Sequence, residues 1–412
     1  MNKPVGKVIT FYSYKGGTGR TMLLANVAWI LASNGKRVLM IDWDLEAPGL
    51  HRYFHPFLDD PELSSSEGLI DFITDFASEA VTPKLLNDSS SKDWYEKFTN
   101  ILRYAVSINW KFYKGRLDLV PAGKQNQTYS TRVNSFNWRN FYDRLGGGTF
   151  LKAVKSKIIN DYDYILIDSR TGTSDISGIC TVKLPDLLVI CLTLNSQNIK
   201  GASNIASSIN ELPEGKNIQI FPVPTRTEAG EKKKLDIARD QARLKFSHYL
   251  PYSNNKQIET YWADVEVSYI QYYAYEEILA VFGDKPSEHN AILSSAERLT
   301  SILTKKSVIK LVPIKESVRL ETLAKFEWSP RQSKYKITDR QHSILQFLVN
   351  NKERITNYKL ISEKTGIPYG TVRGSIEVLC KLNCISKERH RKGNFQGIKY
   401  TIDKSETKKF GF

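Results

Sequence analysis

Cysteine is scarce in this chain: four among 412 residues, at positions 180, 191, 380 and 384. None forms a CxxC pair and none has a histidine partner at zinc-ligand spacing, so neither a disulfide framework nor a cysteine zinc site organises the fold. No apolar run approaches the roughly 20 residues that a membrane span requires. Residues Met1 to Gly6 lack the apolar core of a secretory signal. Together these absences argue against an integral membrane or secreted protein and lead us to expect a reducing, cytoplasmic setting. Internal repeats and long low-complexity runs are also missing. With 41% apolar and 25% charged residues the composition is that of a folded protein, not a disordered one. The length predicts two or three domains.

What the last fifth of the chain lacks is acid. Residues 330–412 hold 18 Lys and Arg against 7 Asp and Glu, which is +11 of the whole chain's +15. A nearly neutral body with a basic C-terminal end implies a polyanionic partner at that end, nucleic acid first and an anionic membrane surface second.

The apolar pattern sets the architecture. KVITFY at 7–12 reads as a buried strand, 13–19 as a glycine loop, and 20–33 as a helix closed by Asn34-Gly35. RVLMI at 37–41 is a second strand, ending in Asp42. Strand, helix and strand in this order form a βαβ unit and therefore a parallel sheet. Further strands are expected at 116–121, 164–167, 187–194 and 218–223, with helices at 150–159, 199–212 and 291–303. The alternation predicts a doubly wound α/β domain over 1–303. Residues 60–145 resist the pattern and read as an insertion. Residues 271–281 read as a closing helix or strand edge. Residues 304–335, with two prolines, read as a linker.

The strongest local signal is Lys15-Gly16-Gly17-Thr18-Gly19-Arg20-Thr21 between a strand and a helix. Glycines let successive backbone N–H groups turn inward around phosphate oxygens. The helix N-terminus adds positive dipole there. Thr21 offers a hydroxyl to Mg²⁺, and Arg20 offers positive charge to phosphate.

These residues resemble the deviant Walker A motif, KGGxGK[ST], of the ParA/MinD class of P-loop ATPases, in the subgroup where arginine replaces the usual lysine. The resemblance implies ATP and Mg²⁺ as ligands. It assigns Lys15, Gly16, Gly17, Thr18, Gly19, Arg20, Thr21, Met22 and Arg226 to the nucleotide. It also implies that Lys15 reaches across a homodimer formed on ATP binding. Asp42 and Asp44 then fall at the switch I aspartates, Asp44 positioning the attacking water and Asp42 supporting Mg²⁺ with Thr21. Asp168, ending the strand YILI, falls at the Walker B aspartate, and 168–172 at switch II. Pro222 to Arg226 falls near the adenine. Arg20 departs from the family pattern: a planar guanidinium does not substitute freely for a compact ammonium, so slow turnover is expected. Members of the arginine-bearing subgroup also resemble components of bacterial conflict and antiphage systems, beside the partition and positioning roles of the class.

At the C-terminal end, helices are expected at 338–349, 358–364 and 368–381, with Gly366 as a turn. A hairpin at 384–402 has the basic tip Arg391-Lys392-Gly393-Asn394. This resembles a small α+β winged helix-turn-helix domain, over 336–404, with a basic tail at 405–412. The third helix would offer Tyr369, Thr371, Arg373 and Ser375 to a DNA major groove. Lys387, Arg389, Arg391 and Lys392 on the wing would lie near phosphates. Two rival readings remain beside the DNA-binding ATPase switch. One is a nucleotide-sensing transcription regulator with little hydrolysis, and the other an adaptor whose winged helix binds a partner protein. The tyrosines at 269, 272, 273 and 275 read as core or dimer packing. His51 and His55 lack a third metal ligand, and the short tail does not make a membrane helix.

Overall fold

The computed structural model describes residues 5–81, 94–172, 182–213, 215–228, 230, 232–285, 288, 291–326, 337–351, 356–392, 395–403 and 407. Cys180, most of the expected linker's end (327–335) and the expected tail apart from Thr407 lie outside them.

Two features of β1 (Lys7–Tyr12) organise the body. Its side chains alternate between two cores, Val8 facing one and Ile9 and Phe11 the other, so both faces of the strand are covered. It also runs straight into a glycine loop and α1 (Arg20–Ser33). α1 is apolar on every side, and twelve of its residues are buried, among them Trp29. Trp29 sits within aromatic contact of Phe54, Phe57, Trp110, Phe112 and Phe282. A helix with no polar face must be enclosed, and this one follows directly on the glycine loop.

The chain continues through β2 (Arg37–Asp42), a 3-10 helix Leu50–Phe57, α2 (Leu69–Ala80), β3 (Val106–Ser107), β4 (Arg116–Val120), α3 (Gly147–Asp161), β5 (Tyr164–Asp168), β6 (Leu187–Leu192), α4 (Ser196–Glu211), β7 (Gln219–Pro224), α5 (Lys232–Phe246) and α6 (Ile292–Leu303). The seven strands are ordered β3-β4-β2-β5-β1-β6-β7. All pairings are parallel except β3 with β4. This is the mostly parallel sheet that the apolar pattern predicts, with helices on both faces. β1 stands between β5 and β6, and the crevice at its C-terminal end is where such sheets bind ligands.

Three sequence expectations are corrected. Residues 60–145 are not wholly an insertion, because β4 joins the main sheet parallel to β2 and is buried from both sides by Leu117, Leu119 and Val120. Residues 271–281 form neither one helix nor a strand; they hold the single turn Tyr272–Tyr275 and the start of another, Ala280–Gly283. Within 304–335 lies a helix, α7 (Glu316–Phe326), whose Phe326 packs edge-on or tilted against Phe57, Phe282 and His55. Its buried residues are Arg319, Thr322 and Phe326. Two of those three are polar, which hid the helix from apolar periodicity.

The C-terminal residues form α8 (Asp339–Asn350), α9 (Tyr358–Thr365), α10 (Tyr369–Lys381) and the antiparallel pair β8 (Ile385–Lys392) and β9 (Phe395–Ile402). They surround a core of their own, with Ile344, Leu348, Ile361, Val372, Ile376 and Leu379 at its centre. Gly366 ends α9 in the left-handed conformation at φ +69°. Among the described residues no helix is long and apolar enough to cross a membrane.

Candidate functional site

The loop after β1 is shaped by two glycines in left-handed conformation, Gly17 at φ +72° and Gly19 at φ +83°. A side chain at either would strain the backbone. Gly19 caps α1, so the free N–H groups of the first helical turn open into the loop. Thr18 Oγ1 is buried here with no hydrogen-bond partner among the described residues. An orphaned hydroxyl, a glycine arch and a helix N-terminus on a strand's C-terminal end fit phosphate oxygens.

Beneath the loop, three carboxylates converge from two adjacent strands. Asp42 ends β2 and Asp168 ends β5, opposite each other in register, and Asp44 follows β2. Thr21 Oγ1 donates to Asp168 Oδ2 at 2.7 Å. Asp42 is fully buried and accepts from the backbone N–H groups of Asp44 and Leu50, both at 3.2 Å. Burial, together with the neighbouring Asp168 and Asp44, pushes the Asp42 carboxyl well above the usual range. Asp168 is raised by burial too, against the pull of Arg20 and Thr21.

Arg20 joins this cluster. Its Nε donates to Asp168 Oδ1 at 2.6 Å and its Nη2 to Asp44 Oδ2 at 2.9 Å, while Nη1 lies 3.4 Å from Ser13 Oγ. The side chain is 6% exposed. Burial alone would weaken its hold on the proton; Asp168 and Asp44 outweigh that and raise its pKa. In this structure the Arg20 guanidinium, expected to face phosphate, lies against two carboxylates. The planar fork bonds both acids at once in a fixed geometry.

The remaining loop residues are near by. Lys15 is exposed, its Nζ 2.5 Å from Gln197 Oε1 of α4. Met22 is buried behind Gly19. Arg226 follows β7 at φ +53° with its guanidinium 5.6 Å from the Tyr269 ring centre, and its Nη1 lies 4.0 Å from where a Gly17 Cβ would stand. Gly16 faces open space. Thus Lys15, Gly16, Gly17, Thr18, Gly19, Arg20, Thr21, Met22, Asp42, Asp44, Asp168 and Arg226 gather at one end of the sheet. Ser13, Gln197 and Tyr269 complete the surroundings and were not singled out for this site. Of the four tyrosines read as packing residues only Tyr273 is buried, while Tyr272 and Tyr275 are exposed.

Among the described residues no group of three or more His, Cys, Asp or Glu side chains is arranged to hold a metal ion on its own. A hydroxyl beside one carboxylate, backed by a second, suits Mg²⁺ that takes most of its ligands from phosphate and water. His51 is buried and its pKa is lowered to about 4 by burial and by Arg52, so it is neutral near pH 7.

The residues expected to read DNA are elsewhere, and they are covered. Thr371 and Ser375 are 3% and 1% exposed. Thr371 Oγ1 accepts from Ser107 N at 3.1 Å, Ser375 Oγ lies 3.4 Å from Asp59 Oδ2, and Arg373 pairs with Glu67. Tyr369 packs beneath the guanidinium of Arg103 at 5.4 Å. All four therefore face the body of the same chain. Lys387 pairs with Glu377 of α10. Arg389, Arg391 and Lys392 lie on β8, opposite Ile398, Gln396 and Phe395.

Comparison with known proteins agrees with the geometry of the loop. Residues 9–321 match the family described as the CobQ/CobB/MinD/ParA nucleotide binding domain. A 44-residue stretch is 52% identical to the Uncharacterized ATP-binding protein MJ0924 of Methanocaldococcus jannaschii, 11% of this chain and 17% of that one. The chain thus matches only about a sixth of that relative's length. Among solved structures, an McdA–ATP complex from Cyanothece is 15% identical, with a TM-score of 0.48, over 76% of this chain and all of the other. The cell division ATPase MinD of Pyrococcus furiosus is 17% identical, with a TM-score of 0.45, over 72% and 99%. A plasmid partition protein from Borrelia burgdorferi is 18% identical, with a TM-score of 0.43, over 74% and 100%. At such identities and TM-scores these likenesses add nothing about function. The match over 9–321, together with the glycine loop and strand-end aspartates it contains, places this chain in the CobQ/CobB/MinD/ParA family of nucleotide-binding proteins.

Proposed function

We propose that this chain is an ATP-dependent molecular switch whose nucleotide site is the loop Lys15 to Thr21. The observation that carries the reading is the convergence of that loop with Thr21, Asp42, Asp44 and Asp168 at one end of the sheet. ATP phosphates would lie in the arch of Gly16, Gly17, Thr18 and Gly19, with the base toward Arg226. Mg²⁺ bound to those phosphates would be held by Thr21 and, through its water shell, by Asp42 and Asp168. The metal supplies charge neutralisation at the phosphates. Asp44 would orient the attacking water. Two chains would close on two nucleotides, with Lys15 released from Gln197 to reach the partner's site.

The C-terminal unit would be a winged helix that binds DNA, giving the ATP-closed dimer two linked DNA sites. Such a switch suits partition, positioning or bacterial conflict systems working with a partner protein in the cytoplasm. One observation favours a second reading, a nucleotide-sensing regulator with little hydrolysis: Asp44 is tied to Arg20 and so is held away from water activation.

Light-scattering mass with and without ATP-Mg²⁺ tests the switch. The wild type is expected to double in mass with ATP, and Lys15→Ala to remain monomeric while still binding nucleotide. A mass indifferent to ATP in the wild type overturns the closure. Phosphate release by the purified chain is expected below about one turnover per second, under the usual enzymatic range. Turnover of many per second would remove the second reading and the slow-hydrolysis expectation together.

A further inference from the structure

The covered face of α10 is an interaction surface with a defined partner, the ledge formed by residues 58–67 and 105–107 of the same chain. Two glycines mark it. A Cβ on Gly370 would stand 2.0 Å from Ala105 O, and one on Gly374 would stand 2.9 Å from Ser66 Oγ. Glycine inside a helix costs about 1 kcal/mol relative to alanine. Two of them, four residues apart on one face of α10, are accounted for by the close approach they permit. Polar contacts complete the surface. Asp59 accepts from Thr338 Oγ1 at 2.8 Å and faces Ser375, and its backbone carbonyl accepts from Gln341 Nε2 at 2.8 Å. Arg340 Nη1 donates to Ser107 O at 2.8 Å, and Lys381 Nζ to Ser64 O at 3.0 Å.

The ledge is joined to the nucleotide site by a short, stiff path. Leu50 N, the start of the 3-10 helix Leu50–Phe57, donates to Asp42. Phe57 ends that helix inside the aromatic cluster of Trp29, Phe282 and Phe326. Asp59 follows two residues later. Asp60 then receives the N–H groups of Ser64, Ser65 and Ser66 at 3.1, 2.8 and 2.8 Å, fixing 60–66 as one block. Any shift of Asp42 or Asp44 toward a metal–phosphate pulls on a segment whose other end holds α10.

We infer that residues 58–67 and 105–107 clasp the DNA-facing side of α10, and that ATP-Mg²⁺ at the glycine loop opens the clasp. The inference rests on the nucleotide-switch reading above. In the closed form Thr371 and Ser375 are shielded from any groove, and Arg373 is spent on Glu67. In the open form the same face is free, so a ligand of one site shifts the population of the other.

The test uses the full chain with Ser66→Cys and Gly374→Cys. A Cβ on Gly374 lies 3.9 Å from that of Ser66, the spacing of a disulfide. Under mild oxidation the pair should cross-link readily without nucleotide, and ATP-Mg²⁺ should slow the reaction about tenfold, the size of an ordinary allosteric coupling. Binding of a fluorescent ATP analogue is titrated on the same sample. Failure to cross-link at all, or an unchanged rate while the analogue binds, overturns the clasp. A chain that does not bind the analogue overturns the nucleotide reading and takes the trigger with it. Duplex DNA of random sequence gives the second arm. The oxidised form should bind at least about tenfold more weakly than the reduced form with ATP. Gly370→Ala, whose added Cβ would stand 2.0 Å from Ala105 O, should bind without ATP as the wild type does with it. Equal DNA affinity of oxidised and reduced forms overturns the clasp's control of access.

Discussion

At the scale of single residues the site is dominated by one cation among three acids. Arg20 neutralises Asp168 and Asp44, and its loss would leave buried charge without a partner. Breaking a buried pair in this way costs about 3–5 kcal/mol. Arg20→Ala is therefore expected to lower the free energy of unfolding by about that amount, read from the urea midpoint without nucleotide. Arg20→Lys should cost less, because it keeps the charge while losing the fixed planar fork. His51 provides a pH test of opposite chemistry. Its folded pKa of about 4 lies below its ordinary 6.5, so the unfolded chain takes up the proton first as pH falls. Its contribution is complete above pH 6.5, declines as pH falls toward 4, and amounts to about 3 kcal/mol across that window. The difference in unfolding free energy between wild type and His51→Gln should shrink by that amount from pH 7 to pH 4. A difference independent of pH would mean that His51 is not neutral in the fold.

At the scale of elements, the sequence and the structure part at identifiable places. The strands of the parallel sheet were legible because each is an apolar run covered on both faces, and the glycine loop because its φ values admit little else. The order of glycine loop and strand-end aspartates was legible as well, and the fold brings those residues to one end of the sheet. α7 was missed because it buries Arg319 and Thr322 while leaving Leu320 half exposed, the reverse of an amphipathic pattern. The direction of the Arg20 side chain was not legible either, since its partners lie 24 and 148 residues away. The fate of α10 depended on contacts more than 260 residues distant in sequence. Its glycines were the available signal: a helix that only reads a groove has no need of them. Gly201 in α4 is a similar marker. A Cβ there would stand 2.2 Å from the ring of Tyr14, the residue before Lys15. Gly201→Ala should push Tyr14 and the loop outward and weaken ATP binding at least about tenfold, the effect of roughly 1.4 kcal/mol, with little change in the urea midpoint. Unchanged affinity for the fluorescent analogue would show that Tyr14 does not set the loop.

At the scale of the whole molecule, the uneven charge and the covered helix bear on one quantity, the salt dependence of DNA binding. The basic C-terminal end is positive enough to attract a polyanion in any state, yet several of its cations are occupied while the clasp is shut. Arg373 is paired with Glu67, Lys381 is bonded to Ser64 O, and Arg340 to Ser107 O. Lys387 is paired within its own unit to Glu377, so opening leaves it unchanged. Each phosphate neutralised steepens the fall of log affinity with log salt by about 0.9. If opening delivers Arg373 and Lys381 to phosphates, the slope for the ATP-bound, reduced double-cysteine chain should exceed that of its disulfide-locked form by roughly 1.8. The comparison needs only anisotropy titrations of one duplex at several salt concentrations, with the same protein oxidised and reduced. Equal slopes with different affinities would mean that opening exposes neutral contacts and that Arg373 does not meet phosphate. Equal slopes with equal affinities would place the polyanion site wholly on the hairpin, leaving α10 as a permanent seam between the two parts of the chain.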